Sequence, residues 1–320
     1  MRLALSTRWN ASRHASGEAL CDEVLQAGFQ TIEIGYDLHP DLLPGLLKRV
    51  HDGAIRVCSL HAPCPIPLGF PSGNPEYFTL ADPRDSESGL AIQLVQSTLR
   101  LAAEVGASAV VVHAGRVAMP HFHLRSPSPP ASPAGRLARW WDHWRRHRMQ
   151  TLRARYAPLW LDSLKRSLEI LLPDLEATGV VLALENLPSF ESVPSESEMH
   201  SLLEAFRHPR LGYWHDIGHG FYRERMGFAQ QQEWLKTLKP WLAGLHVHDV
   251  SSSLEDHLEP GAGEVSFADF VGVADGSRPL VIEVRPGVPT DRLQAGVQTL
   301  IRAWPQLGAS TSPQPENAHV

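Results

Sequence analysis

Residues 180–185 read VVLALE, five apolar residues closed by a glutamate. A run that is apolar throughout, rather than alternating, suits a parallel strand covered on both faces. Seven more runs of this kind occur, at 3–6, 31–35, 55–61, 109–113, 211–215, 243–247 and 279–284. The intervals hold amphipathic patterns, at 18–27, 90–104, 161–177, 196–206 and 291–304, with apolar residues three and four apart. Strand–helix alternation repeated eight times predicts an α/β fold, a closed (β/α)8 TIM barrel, over an open doubly wound sheet. The open sheet would also be expected to carry a glycine-rich phosphate turn, and neither GxGxxG nor GxxxxGK[ST] occurs. The reading is one barrel domain over 1–304, with a long insertion after the fourth strand at about 116–155 and a disordered tail at 305–320.

Composition agrees with that reading and excludes others. The chain has 320 residues, 43% hydrophobic and 20% charged, with a mean hydropathy of −0.19. No stretch approaches the roughly 18 unbroken apolar residues of a membrane span. Three cysteines (Cys21, Cys58, Cys64) without a CxxC predict no disulfide framework. The opening MRLALSTRWN reaches Arg8 before any apolar run fit for a signal peptide, so a cytoplasmic protein is expected. Net charge is −6, yet eight arginines face one acid between residues 120 and 156. One basic segment on an acidic body does not favour a nucleic-acid partner, although it leaves one open.

Seventeen histidines stand out, and their placement carries the functional reading. His61 and His113 end the third and fourth strands, and Glu185 ends the fifth. Asp216 and His219 follow the sixth, His246 lies in the seventh, Glu283 lies in the eighth, and Glu255 and His257 lie in the loop between those two. Strand ends at the C-terminal face of a barrel converge, and buried imidazoles and carboxylates need partners or a metal ion. Nine such residues at corresponding positions predict a divalent-metal site of zinc or manganese type. His215 and His248, each beside a better-placed candidate, read as packing or supporting residues, and Asp249 as a group that orients a ligand histidine. His14, His39, His51 and His208 read as solvated. Glu33, ending the second strand, reads either as an acid–base or substrate-contacting group or as a buried ion pair.

The ordered set GFQTIEIG (28–35), SLHAP (59–63), VVVHAG (110–115), LENLP (184–188), HDIGH (215–219), HVHD (246–249), DHLEPGAGEVSF (256–267) and IEV (282–284) resembles the xylose isomerase-like TIM barrels. These include endonuclease IV and many sugar isomerases and epimerases. The resemblance implies one metal on Glu185, Asp216, His246 and Glu283, as in the isomerases. It also implies the further ligands of endonuclease IV: His61 and His113 for one outer metal, and His219, Glu255 and His257 for another, with Glu185 bridging. The position read as Glu255 is an aspartate in endonuclease IV, and neighbouring Asp256 leaves the register open by one residue.

Two reaction classes follow. The nine-residue set, with roughly two or three ions per chain, favours phosphoester hydrolysis by a metal cluster. The loop APCP at 62–65 lacks the bulky residues that endonuclease IV inserts into DNA, so ordinary abasic DNA is not the expected substrate. The alternative is a single-metal isomerase or epimerase of a ketose or sugar phosphate, with Glu185 and Glu283 moving the proton. Either way the partner is a small molecule or a phosphoester, with no membrane role. In the basic insert, Trp140, Trp141 and Trp144 with Arg139, Arg145, Arg146 and Arg148 read as a stacking and phosphate-holding element, as a helix with tryptophans inward and arginines outward, or as a dimer contact.

Overall fold

The computed structural model describes residues 3–120 and 133–309, with the backbone alone for 133–140, 142, 308 and 309. Eight strands close into one parallel barrel in sequence order: β1 (Ala4–Ser6), β2 (Thr31–Ile34), β3 (Arg56–His61), β4 (Ala109–Val112), β5 (Val181–Glu185), β6 (Leu211–Asp216), β7 (Leu242–Val247) and β8 (Leu280–Ile282), with β1 pairing β8. Helices α1 (Gly17–Gln26), α2 (Leu43–His51), α3 (Asp85–Glu104), α4 (Pro133–Thr178), α5 (Glu196–Phe206), α6 (Ile217–Arg225), α7 (Gln231–Leu238) and α8 (Thr290–Ala303) follow the strands.

The two-residue period of a strand explains how this barrel is filled. Outward positions such as Leu5, Val110, Val112, Leu182, Leu184, Leu245 and Ile282 pack beneath the helices in the main apolar core. Inward positions Ala4, Ala109, Val111, Ala183, Trp214 and Val281 form a small second core inside the barrel. Continuing the same parity toward the C-terminal ends of the strands gives His113, Glu185, Asp216 and Glu283. Apolar side chains therefore fill the lower interior, and titratable ones cap it.

Trp214 dominates the inner core and is fully buried. Its ring is accommodated because residue 244, on the neighbouring strand β7, is glycine: a Cβ there would stand 2.2 Å from Trp214 Cζ3. The same ring packs edge-on to His246, with centroids 5.2 Å apart. Packing at the barrel floor thus sets the height of a site histidine.

Two boundaries differ from the sequence reading. The stretch expected as an insertion is, from residue 133 on, the start of a 46-residue helix, α4, that runs on through the segment expected at 161–177. Local propensity in RLARWWDHWRRHRMQ continues the helical pattern without a break, which strand–helix counting cannot register. Residues 305–309, placed in the tail, form a short helix, α9 (Pro305–Ala309), with Leu307 buried. Residues 310–320 and the SPSPPAS portion of the insert lie outside the described residues. No described helix is long and apolar enough to cross a membrane.

Gly244→Ala is expected to cost about 1–3 kcal/mol through overpacking against Trp214, read as a lower urea midpoint. Gly89→Ala in α3, where a Cβ meets nothing within 4 Å, should instead raise stability by up to about 1 kcal/mol. Equal effects would mean that Gly244 is not a packing requirement.

Candidate metal centre

Glu185, the last residue of β5, is buried and joins most of the site. Its Oε2 lies 3.1 Å from Nε2 of His61 on β3 and 3.1 Å from Nε2 of His113 after β4. Its Oε1 lies 3.2 Å from His246 Nδ1 on β7, and Glu283 Oε2 approaches that nitrogen at 3.2 Å from the end of β8. Asp216 Oδ2 is 3.8 Å from it.

Three donor groups result, each with one atom per residue within 4.8 Å of the others: Glu185–Asp216–His246–Glu283, His61–His113–Glu185, and Asp216–His219–His248–His257. Glu185 and Asp216 each stand in two groups. A mixed carboxylate and imidazole set of this kind suits zinc, manganese or a similar divalent ion.

The histidines are held as ligands are usually held, with one ring nitrogen bonded to the surrounding protein and the other turned inward. His61 Nδ1 meets the Ala62 carbonyl at 3.2 Å. His219 Nδ1 meets the Asn186 carbonyl at 3.0 Å, and His257 Nδ1 meets Asp256 at 3.2 Å. His113 Nδ1 is 3.4 Å from Glu76. His246 Nε2 sits 3.1 Å from both oxygens of Glu33, whose Oε2 also accepts the Ser59 hydroxyl at 2.8 Å.

The electrostatics follow from these contacts. Burial opposes ionisation of Glu185, yet His246 and His113 hold it well below the usual carboxylate range. Glu283 is likewise buried, and His246, Arg8 and His257 bring it to about 2. His113 is pushed up to about 9: burial resists the charge, but Glu185 and Glu76 outweigh it. His246 rises well above its ordinary value for the same reason, facing Glu33, Glu283 and Glu185. His257 goes down to about 4, through burial first and then the neighbouring His248.

Of the nine residues expected to ligate, eight converge here. Glu255 does not. It is largely exposed and paired with Arg285. Asp256 does not enter a donor group either, but bonds His257 from outside. The loop turns at His257, whose backbone is left-handed (φ 54°), and this turn sends the imidazole in and both acids out. Glu33 is fully buried against His246 and Ser59, so the structure gives it an orienting position rather than contact with the barrel mouth.

Asp249 orients no histidine. Its carboxylate accepts the amides of Val250, Gly261 and Val265 and so folds the loop after β7. His215 packs as expected, bonded to the Tyr213 hydroxyl and Gln231, and burial pushes its pKa down to about 3. His14 and His208 are not simply solvated but face Glu23 at 2.6 Å and Glu176 at 3.7 Å.

Several site residues escaped the sequence reading. Asn186, in LENLP, donates to the Asp216 carbonyl and accepts the Asp216 amide and the Tyr213 hydroxyl. Its position directly after a candidate ligand was the available signal. Arg8 lies 3.3 Å from Glu283 and over the Tyr36 ring, which packs on His61. The basic insert departs from the reading that turns its tryptophans inward. Trp141 and Trp144 are about half exposed, whereas Arg153 is buried, bonded to the Phe190 and Ser192 carbonyls and paired with Glu198. The side chains of Arg139 and Trp140 lie outside the described residues.

A family model described as xylose isomerase-like TIM barrel matches residues 21–303. An uncharacterised protein of Methanocaldococcus jannaschii is 22% identical over 255 residues, 78% of each chain. Among solved structures, 3-keto-D-glucoside 4-epimerase from E. coli superposes with a TM-score of 0.67 at 16% identity, covering 94% of this chain and 99% of that one. The IolI protein with a bound zinc atom superposes with a TM-score of 0.64 at 14% identity, covering 98% and 100%. At these identities the structural likeness is one of fold.

Because Glu33 fixes the ring of His246, Glu33→Gln should weaken binding of zinc to the full chain by about ten- to a hundredfold, with the circular dichroism spectrum unchanged. Titration calorimetry against the unaltered chain checks this. Equal affinities would remove Glu33 from the site.

Proposed function

The chain belongs to the xylose isomerase-like TIM barrel family, and on that premise we propose that it is a divalent-metal-dependent isomerase or epimerase of a small ketose or ketose phosphate. The observation that carries this reading is the pair Glu185 and Glu283, which flank His246 Nδ1 at 3.2 Å each from β5 and β8. Glu185, Asp216, His246 and Glu283 would hold the ion. A bound divalent cation supplies Lewis acidity toward a substrate carbonyl and its neighbouring hydroxyl.

The remaining chemistry belongs to side chains of this chain. Each glutamate turns one oxygen to the shared point and keeps the other aside: Glu185 Oε2 toward His61 and His113, and Glu283 Oε1 toward Arg8. Held as carboxylates, both are ready to accept a proton from carbon. One removes it from one face of the substrate and the other returns it. His246 and His113 stabilise the ionised form of Glu185, and His246 and Arg8 that of Glu283. The sugar-epimerase name of a solved structure with this fold supports the same substrate class.

Phosphoester hydrolysis stands as a second reading, on one specific observation. Glu185 and Asp216 each belong to two donor groups, the arrangement in which carboxylates bridge ions that activate water and clamp phosphoryl oxygens. A duplex-wedging role for the loop after β3 is disfavoured, because Ala62 and Cys64 are buried.

Incubation with ketoses and ketose phosphates in D2O, after loading with zinc or manganese, tests the first reading. Deuterium should enter one substrate carbon, and chelation should stop it. Glu185→Gln and Glu283→Gln should each lower the rate by about 10²–10⁴-fold. Cleavage of a phosphodiester with no deuterium entering any ketose, together with more than one ion per chain, would replace this reading with the second.

A further inference from the structure

The geometry points to His248 as a positioning residue for Asp216, donating a ring proton to its carboxylate rather than a lone pair to a metal ion. This inference rests on the four-residue metal group of the proposed function, and assigns His248 a different task from the histidines around it.

The role of His248 depends on which of its ring nitrogens carries the proton. His248 is fully buried on the segment after β7, with Nε2 3.0 Å from Asp216 Oδ1 and 3.1 Å from Oδ2. Proximity alone places it among the donors around Asp216. Its other nitrogen decides otherwise. The backbone amide of His257 donates to His248 Nδ1 at 3.0 Å. An amide proton and a ring proton cannot share that line, so Nδ1 is the unprotonated nitrogen. The Asp249 carbonyl, 3.3 Å from Nδ1, already accepts the Leu258 amide at 3.1 Å. With Nδ1 accepting, the ring proton sits on Nε2 and points at Asp216.

The ligand-competent histidines show the opposite arrangement. His61, His219 and His257 each set an outer ring nitrogen against a carbonyl or carboxylate, which takes an N–H and leaves the inner lone pair free. His248 alone among the six central imidazoles faces a backbone donor.

The ring is also clamped so that this orientation is kept. On one side it stacks on His257, with centroids 4.1 Å apart and planes 7° from parallel. On the other it lies against Gly218, where a Cβ would stand 2.0 Å from His248 Cε1. The glycine of HDIGH is thus the space in which His248 reaches its aspartate. Asp216 Oδ1 additionally accepts the His219 amide at 2.7 Å. The His248 ring thus spans both oxygens of the carboxylate, while Oδ2 also faces His246 Nδ1 at 3.8 Å.

Long-range ¹H–¹⁵N NMR of the full chain, labelled at histidine and freed of metal, reads the tautomer directly, with His248→Asn identifying the resonance. Protonation at Nε2 and not at Nδ1 is expected, and a ring protonated at Nδ1 overturns the inference whether or not the protein binds metal. Zinc titration supplies the second measurement. Glutamine carries its amide N–H out to the place of Nε2 and can donate to Asp216, so His248→Gln should retain affinity within about threefold. His248→Leu should lose about ten- to a hundredfold while reaching the same number of ions per chain at saturation. One ion fewer at saturation in both variants would make His248 a ligand. An unaltered chain that takes up no ion would instead refute the proposed function, with the tautomer still deciding the role of His248.

Discussion

Four carboxylates, Glu33, Glu185, Asp216 and Glu283, are almost completely buried around the ring of His246. Ionised carboxylates at that density are tolerated only where opposite charge and hydrogen bonds replace lost water, since each uncompensated ion costs several kcal/mol. Six buried imidazoles, with Arg8 at the edge, supply that compensation. The lower barrel wall is apolar, so no solvent reaches the charges from beneath. A divalent cation among these oxygens would displace protons from the imidazoles and take over their role. The metal-binding reading is therefore a consequence of the charge balance as much as of donor spacing.

The barrel was legible in the sequence because two periods agree. Apolar runs recur with helical intervals, and within each run the residue that ends the strand shares the parity of small inward residues: Ala109 and Val111 with His113, and Ala183 with Glu185. Parity places a side chain inside or outside, and strand end places it at the mouth. Those two facts bring six residues together: His61, His113, Glu185, Asp216, His246 and Glu283. They fail where the backbone leaves the strand. Glu255, Asp256 and His257 sit in a loop whose left-handed turn at His257 decides which of three neighbours faces inward. Spacing along the chain carries no information about that turn.

Roles were less legible than positions. Asp249 and Glu33 are both buried acids near histidines, and the sequence reading gave the orienting task to Asp249. In the folded chain Asp249 binds backbone amides, while Glu33, more than two hundred residues from His246 in sequence, holds the ring. An acid adjacent in sequence on a strand points to the opposite face, so the orienting group must come from another strand. His248 reads from sequence as a packing or supporting residue without its task, because whether an imidazole offers a lone pair or a proton depends on what meets its far nitrogen, here an amide nine residues away.

The arginine-rich insert shows how a charge excess can be absorbed by architecture. Arg153 on α4 binds two carbonyls of the loop after β5 and pairs with Glu198 of α5. Arg146 donates to the Met226 carbonyl at the end of α6 and lies over Phe228. Those loops follow Glu185 and Asp216, the two carboxylates shared between donor groups. Charged hydrogen bonds to carbonyls are stronger than neutral ones, so part of the basic charge that suggested phosphate recognition instead ties down the connections bearing the site. What α4 presents outward includes aromatic surface, Trp141 and Trp144 edge-to-face with Arg148 over the second ring. A helix whose buried Arg153 works inward while Trp141 and Trp144 stand half exposed thus supports the loops at the barrel mouth.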